Sequence, residues 1–189
     1  LPRAATIVNI TQDNYRTRTF ELDCSIDADP GQFVMLWLPR FDEKPFSLVN
    51  NDPVTVMITN VGPFSGLMHE KQVGDQVWFR GAFGQGFSLS NIHHSDGSGR
   101  ENQIRPLTNI ALVGGGYGVA PLYWLAQIAA GKVTSVTSIL GARTANDVLY
   151  AERFLSLRSQ ASSALQKTSY QLHITTEDGT QGTQGRVTE

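Results

Sequence analysis

The chain has 189 residues, enough for one large domain or two compact ones, and 40% of them are hydrophobic, which excludes wholesale disorder. Lys+Arg 15 against Asp+Glu 17 gives a net charge of −2, so no basic surplus exists to neutralise phosphates and a nucleic-acid partner is not expected. A single cysteine, Cys24, excludes an internal disulfide framework and any four-cysteine metal or iron–sulfur site within these residues.

The cysteine count fits a reducing compartment. The longest apolar run, Phe33 to Leu38, is far too short to cross a bilayer, and no charged-then-apolar leader opens the sequence. The expectation is a soluble, cytoplasmic chain with no membrane partner.

In chain order, residues 1–90 read as antiparallel β structure. Phe20, Leu22 and Cys24 alternate with charged Arg18, Glu21 and Asp23 as in a half-buried strand. Asp13-Asn14 separates this run from the β-branched stretch Thr6 to Thr11, which suggests a hairpin. Val54, Val56 and Ile58 alternate again, then Val77 with Phe79, and turn signals fall at Pro30-Gly31, Asn51-Asp52-Pro53 and Val73-Gly74-Asp75. Short strands at this spacing predict a small barrel or sandwich. Met35, Trp37 and Trp78 are expected in its core. Residues 91–105 have no periodicity and read as a linker or long loop, with His93 and His94 as solvated loop histidines.

The pattern changes in residues 106–189. Ile110 to Val113 is a continuous apolar run, expected as a parallel strand buried on both faces. A helix from about Ala120 to Ala130, a strand Val133 to Leu140, a helix near Val148 to Leu157 and a strand Tyr170 to Thr175 follow, with His173 packed in the last. This alternation predicts an α/β unit with right-handed crossovers.

Between the first of these strands and its helix lies Gly114-Gly115-Gly116-Tyr117-Gly118-Val119-Ala120-Pro121. Glycines let the backbone turn sharply and approach a ligand closely. The helix start presents unpaired N–H groups and a positive dipole end suited to a diphosphate. Pro121 near that start loses no hydrogen bond. The run is not a G-x-G-x-x-G fingerprint, because Val119 occupies the third glycine position.

Three segments in this order carry a family resemblance. Lys44-Pro45-Phe46-Ser47-Leu48 resembles the Arg-x-aromatic-Ser flavin motif of the ferredoxin–NADP reductase superfamily. Gly62-Pro63-Phe64-Ser65 is similar to its second, flavin-phosphate motif, and Gly116 to Pro121, with Gly115 before it, resembles its Gly-x-Gly-Val/Ile-Ala-Pro nucleotide loop. Within the superfamily the sequence most resembles the electron-transfer subunits of NAD-linked, B-type dihydroorotate dehydrogenases. The stretches that carry this likeness are PGQFVMLWLP, KPFSLVN, VGPFSGLMHE, RGAFGQGFSL, GGGYGVAPL, LGARTANDVLY and TTEDGTQGTQG, from Pro30 to Gly185.

The resemblance implies an N-terminal antiparallel β-barrel flavin domain and a C-terminal α/β parallel-sheet nucleotide-binding domain, a ferredoxin reductase-like fold. It implies FAD held by Lys44, Pro45, Phe46, Ser47, Leu48, Gly62, Pro63, Phe64 and Ser65, with Ser47 hydrogen-bonded near flavin N5 as the catalytic group. Pro45 stiffens that segment, and Phe46 can stack beside the flavin. Lys44 stands where the family usually has arginine, keeping the charge but not the bidentate fork. Ser65 is expected to cap a short helix, Ser65 to Glu70, whose start receives the flavin diphosphate. Gly81, Gly84 and Gly86 are expected to serve shape.

NAD(H), as co-substrate, is implied to meet Gly115, Gly116, Tyr117, Gly118, Val119, Ala120 and Pro121. Arg143 would lie near the adenosine half. Glu177 offers a carboxylate that suits a bare ribose over a 2′-phosphate. The family normally continues past the position of Glu189 with a Cys-Gly-Pro strand and four cysteines for a [2Fe–2S] cluster. None of these lies in this sequence, so a piece of a longer protein is expected. The implied function is electron transfer from a dihydroorotate dehydrogenase catalytic subunit, the expected hetero-oligomeric partner, to NAD in pyrimidine biosynthesis. A stand-alone NAD(P)H:flavin or ferredoxin reductase, an accessory subunit of hydrogenase type, and a redox-inactive nucleotide-binding module are the alternatives.

Overall fold

A computed structural model describes residues 1–87, 89, 109–161 and 168–188, the side chains of 158–161 excepted. The stretch expected as a linker, 91–105, lies outside the described residues, as do His93 and His94.

The N-terminal half places six strands in one closed barrel: β1 (Arg3–Asn14), β2 (Thr17–Leu22), β3 (Phe33–Leu38), β4 (Asp42–Asn51), β5 (Val54–Thr59) and β6 (Gln76–Phe83). They run in the order β1-β2-β5-β4-β3-β6, and every pair is antiparallel. Closure leaves no unpaired edge. Helix α1 (Pro63–Glu70) follows β5, and its Phe64 and Met68 are buried with the barrel core of Phe20, Leu22, Leu36, Leu48, Val56 and Phe79.

The expected hairpin joins β1 to β2, with Asn14 opposite Thr17. Its connecting residues are Tyr15 and Arg16, because Asn14 still pairs with Thr17, and Asp13 falls in a bulge between Gln12 and Asn14. Met35, Trp37 and Trp78 are not core residues. In β3 the inward positions are Val34, Leu36 and Leu38, so the alternate residues face out, and Trp37 meets Trp78 edge to face at 6.3 Å on the outer wall. In β5, Val54, Val56 and Ile58 point inward as expected, yet Thr55, Met57 and Thr59 are buried too. Met57 packs with the core of the second domain, and Thr59 bonds Thr17 beside it.

That domain is a parallel sheet of β7 (Asn109–Gly115), β8 (Ser135–Ala142), β9 (Ser169–Thr176) and a two-residue β10 (Thr183–Gln184), in the order β10-β9-β8-β7. Helices α2 (Val119–Ala129) and α3 (Ala151–Ala161) bury Leu112, Val136, Leu140, Ala126 and Phe154 between themselves and the sheet. The strand expected to be buried on both faces, β7, is the outermost strand, and Val113 is 48% exposed on its other face. His173 lies in β9 as expected, but exposed.

The two domains share packing. Trp124 of α2 is buried with the barrel core, while Val49 of β4 and Met57 of β5 are buried with the core of the second domain. Polar bridges reinforce this boundary: Asp147 accepts from Tyr15 and Arg16, Thr19 bonds Tyr150, and Arg153 donates to Asp13 at 3.5 Å. No helix among the described residues is long and apolar enough to cross a membrane.

Candidate functional site

The first group of motif residues meets where β4 leans on α1. Extended backbone along β4 turns alternate residues to opposite sides. Leu48 is consequently sealed in the core, where its side chain supports the strand and offers no ligand contact, and its N–H donates to Gln32 O at 3.0 Å. Ser47 is exposed, and Phe46 is half-buried with its ring stacked on Phe64 of α1 at 5.9 Å and 28°. Phe41 approaches the same Phe64 ring at 6.5 Å. Phe64 therefore joins the two flavin-like motifs. Lys44 holds Asp42 at 2.7 Å, with both side chains near half exposure, and this ammonium keeps the Asp42 carboxyl below its usual range.

Helix α1 begins earlier than the sequence suggests. Gly62 is its N-cap and Pro63 its first residue, so Ser65 sits inside the first turn and caps nothing in the expected sense. Instead its Oγ accepts the N–H groups of Val61 and Gly62 at 2.9 and 3.0 Å and donates to Gly62 O at 2.9 Å. The hydroxyl locks the turn, leaving the main chain for any ligand. The N–H groups of Phe64 and Ser65, in the first turn, have no acceptor within the helix. A Cβ added at Gly62 would meet nothing within 4 Å, so space stands open beside those donors. An exposed cation, two first-turn N–H groups without an acceptor in the helix and an aromatic ledge form a donor set that fits a flavin dinucleotide. Gly81, Gly84 and Gly86, by contrast, lie against Phe33, Phe83 and Asp29 and act in shaping the barrel end.

The second group gathers in a cleft of about 440 Å³ between the barrel hairpin and the carboxyl ends of the parallel strands. Gly115, Gly116, Tyr117, Arg143 and Glu177 all line it. The glycines divide the work. A Cβ at Gly114 would come within 2.7 Å of Leu122, so this position lets α2 pack on its strand. Gly116 adopts φ +54 and faces open space, so it makes the left-handed turn and leaves the cleft floor bare. A single 3-10 turn, Gly116 to Gly118, then leads into α2. Val119 and Ala120 are buried packing residues, and Pro121 is the third residue of the helix. At the far wall, Glu177 N–H donates to Ala142 O and Asp178 N–H to Arg143 O, tying the ends of β9 and β8 together. Thr180 holds the Asp178 carboxyl below its ordinary value through its hydroxyl and N–H.

Arg16 and Thr59 from the barrel and Arg186 near Glu177 also line the cleft with no motif to announce them, and Asp147, after β8, joins them from the LGARTANDVLY stretch. The segment from Lys44 to Leu48 is not part of the cleft wall. It connects to the cleft through the packing of α2 on the barrel, where Trp124 enters the barrel core and Val49 of β4 enters the core of the second domain. Among the described residues no three His, Cys, Asp or Glu side chains lie close enough together to hold a metal ion.

The cleft segment carries a recognised sequence signature: residues 112–189 match the family described as oxidoreductase NAD-binding domain. Over the whole chain, a protein of Thermococcus kodakarensis named as a probable dihydroorotate dehydrogenase B (NAD(+)) electron transfer subunit is 34% identical, matched across 99% of this chain and 67% of its own length. The chain belongs to this family of electron transfer subunits. A relative of the same name in Methanocaldococcus jannaschii is 33% identical over 100% of this chain and 62% of its own, and one in Pyrococcus abyssi is 34% identical over 91% and 57%. The chain thus spans between 57% and 67% of the length of these relatives. Among solved structures, an NADH-dependent reduced ferredoxin-NADP oxidoreductase matches with TM-score 0.75 and 24% identity over 97% of this chain and 60% of its own. The flavohemoglobin of Malassezia yamatoensis matches with TM-score 0.78 and 14% identity over 98% and 48%. These two likenesses concern the fold: a barrel followed by a nucleotide-type sheet.

Proposed function

We propose that this chain binds FAD on the β4–α1 face and NAD(H) in the interdomain cleft, and passes electrons between a dihydroorotate dehydrogenase catalytic subunit and NAD. The observation that carries the reading is the pairing of two built surfaces on one packed boundary. One is an aromatic and cationic ledge, the other a glycine-floored cleft, and α2 joins them.

Bound FAD supplies the two-electron chemistry, and the protein supplies position and electrostatics. Lys44, released from Asp42, and the N–H groups of Phe64 and Ser65 hold the diphosphate. Phe46, backed by Phe64, supports the ring system, and Ser47 presents an exposed hydroxyl toward flavin N5. Gly115, Gly116 and Tyr117 receive the second diphosphate, with Arg143 toward the adenosine half. Glu177 accepts hydrogen bonds from a bare ribose and repels a 2′-phosphate, which favours NAD over NADP. The one cysteine of this chain cannot form a four-thiolate set, so a [2Fe–2S] relay to the catalytic partner would need cysteines from outside these residues.

The test is flavin uptake. The full-length protein should purify yellow, with one FAD per chain. Ser47→Ala combined with Phe46→Ala should weaken FAD binding or slow NADH oxidation. A colourless protein that takes up no flavin, or a double variant equal to wild type in both assays, would overturn the site.

A further inference from the structure

The mouth of the cleft contains a cation from the other domain. Arg16 lies on the two-residue connection of the barrel hairpin, and its guanidinium shares the cleft with Gly115, Gly116 and Tyr117. Its backbone is fixed at both ends. The Arg16 N–H donates to Asn14 Oδ1 at 3.1 Å, and its carbonyl accepts from Asn60 N–H at 2.8 Å. The Tyr15 ring lies 5.4 Å from the guanidinium carbon. Only the side chain is left to move, and it is 39% exposed.

Arg16 Nη2 donates to Asp147 Oδ1 at 3.1 Å. Asp147 does not depend on that bond. Tyr15 OH donates to the same oxygen at 2.9 Å, and Thr144 Oγ1 donates to Oδ2 at 3.2 Å. Were Arg16 to turn away, both carboxylate oxygens would keep a hydroxyl donor, so no buried charge is stranded. A planar guanidinium held by a replaceable bond at the rim of an open cleft is poised for a phosphate, two of whose oxygens it can take in two-point fashion.

We propose that Arg16 is a dinucleotide-phosphate ligand supplied to the cleft by the barrel domain, with Asp147 as its parking carboxylate. The proposal rests on the reading of the cleft as the NAD(H) site. It makes that site a composite of both domains: the sheet provides backbone N–H groups and the barrel provides the cation. Nucleotide binding then turns the Arg16 side chain from Asp147 toward the glycine loop, exchanging an ion pair across the domain boundary for a ligand contact.

Calorimetric titration of the full-length, FAD-loaded protein with NAD⁺ and, separately, with adenosine tests it. Arg16→Gln should weaken NAD⁺ binding about 5- to 20-fold, at or below the low end of the range for a charge-assisted bond because the group is partly exposed. It should leave adenosine binding unchanged and flatten the salt dependence for NAD⁺. Asp147→Asn, which loosens the competing partner, should leave NAD⁺ binding equal or tighter, and Arg16→Lys should recover part of the loss. Equal weakening of NAD⁺ and adenosine by Arg16→Gln, or equal weakening of NAD⁺ by Arg16→Gln and Asp147→Asn, would reduce the pair to a structural strut and overturn the proposal. Wild-type protein that binds no NAD⁺ would instead defeat the underlying reading of the cleft, and the proposal with it. Thermal unfolding and FAD content of each variant separate a lost contact from a lost fold.

Discussion

The β4–α1 ledge and the interdomain cleft are built from opposite materials. The ledge consists of side chains: Phe46 over Phe64, Phe41 beside it, and Lys44 paired on its own strand. The cleft floor consists of backbone, kept bare by Gly115 and Gly116, with charge placed only around its rim. A surface made of side chains fails when atoms are removed. One made of bare backbone fails when atoms are added.

The largest expected effect follows from the first half of that contrast. Phe64 is 5% exposed and sits between the ledge and the barrel core, so Phe64→Ala should cost about 3–5 kcal/mol of stability in urea unfolding, and flavin binding with it. Phe46, half-buried above it, should cost much less when truncated. Equal losses at the two positions would mean that the ledge is not layered in this way.

The second half predicts a different signature. Gly116→Val introduces a β-branched side chain at φ +54, which costs about 1–2 kcal/mol locally, and extends it into open space where no protein atom stands. Stability should change modestly while NAD⁺ affinity falls at least about tenfold, with FAD binding untouched. Titration with the two cofactors in turn reads this directly. Parallel loss of both would break the separation between ledge and cleft.

Both surfaces were largely legible in the sequence, and for the same reason: their residues are contiguous. Lys44 to Ser47, Gly62 to Ser65 and Gly115 to Tyr117 are each local runs whose chemistry can be read without a fold. The barrel was legible from alternation at Phe20, Leu22, Val56 and Phe79. Errors arose where one segment's environment is set by a distant one. Alternation in β5 could not reveal that Met57 is covered, because the cover comes from the second domain. Trp37 and Trp78 were expected inside on hydrophobicity alone, but the pleat of β3 and β6 gave the inward positions to their neighbours. Ser65 looked like a helix cap, yet Pro63 allows the helix to start earlier and turns the hydroxyl to a different task. Arg16 carried no signal. Its partner Asp147 lies 131 positions away, and only the packing of the two domains brings them together.

The smallest effect concerns the boundary that both surfaces share. Burial raises the Asp13 carboxyl above its ordinary pKa of 3.8, against the lowering pull of Thr19 and Arg153. A carboxyl whose folded pKa is raised binds more protons folded than unfolded, so its ionisation subtracts stability as pH rises from about 3.8 through the higher folded value. Asp13→Asn removes that titration and keeps an acceptor for Thr19. The variant should gain on wild type as pH rises through this window and converge with it below pH 3.8. Unfolding measured on both sides of the window checks the sign, and a difference that narrows with rising pH would show that Arg153 dominates the site.

The central claim is that the ledge and the cleft serve one reaction. Anaerobic mixing of the FAD-loaded full-length protein with NADH, followed through the flavin's visible absorption, tests it most directly. The account predicts bleaching within a single turnover, abolished or strongly slowed by Gly116→Val even though that variant keeps its FAD. Flavin that stays oxidised in the wild-type protein while NADH is shown to bind would contradict it.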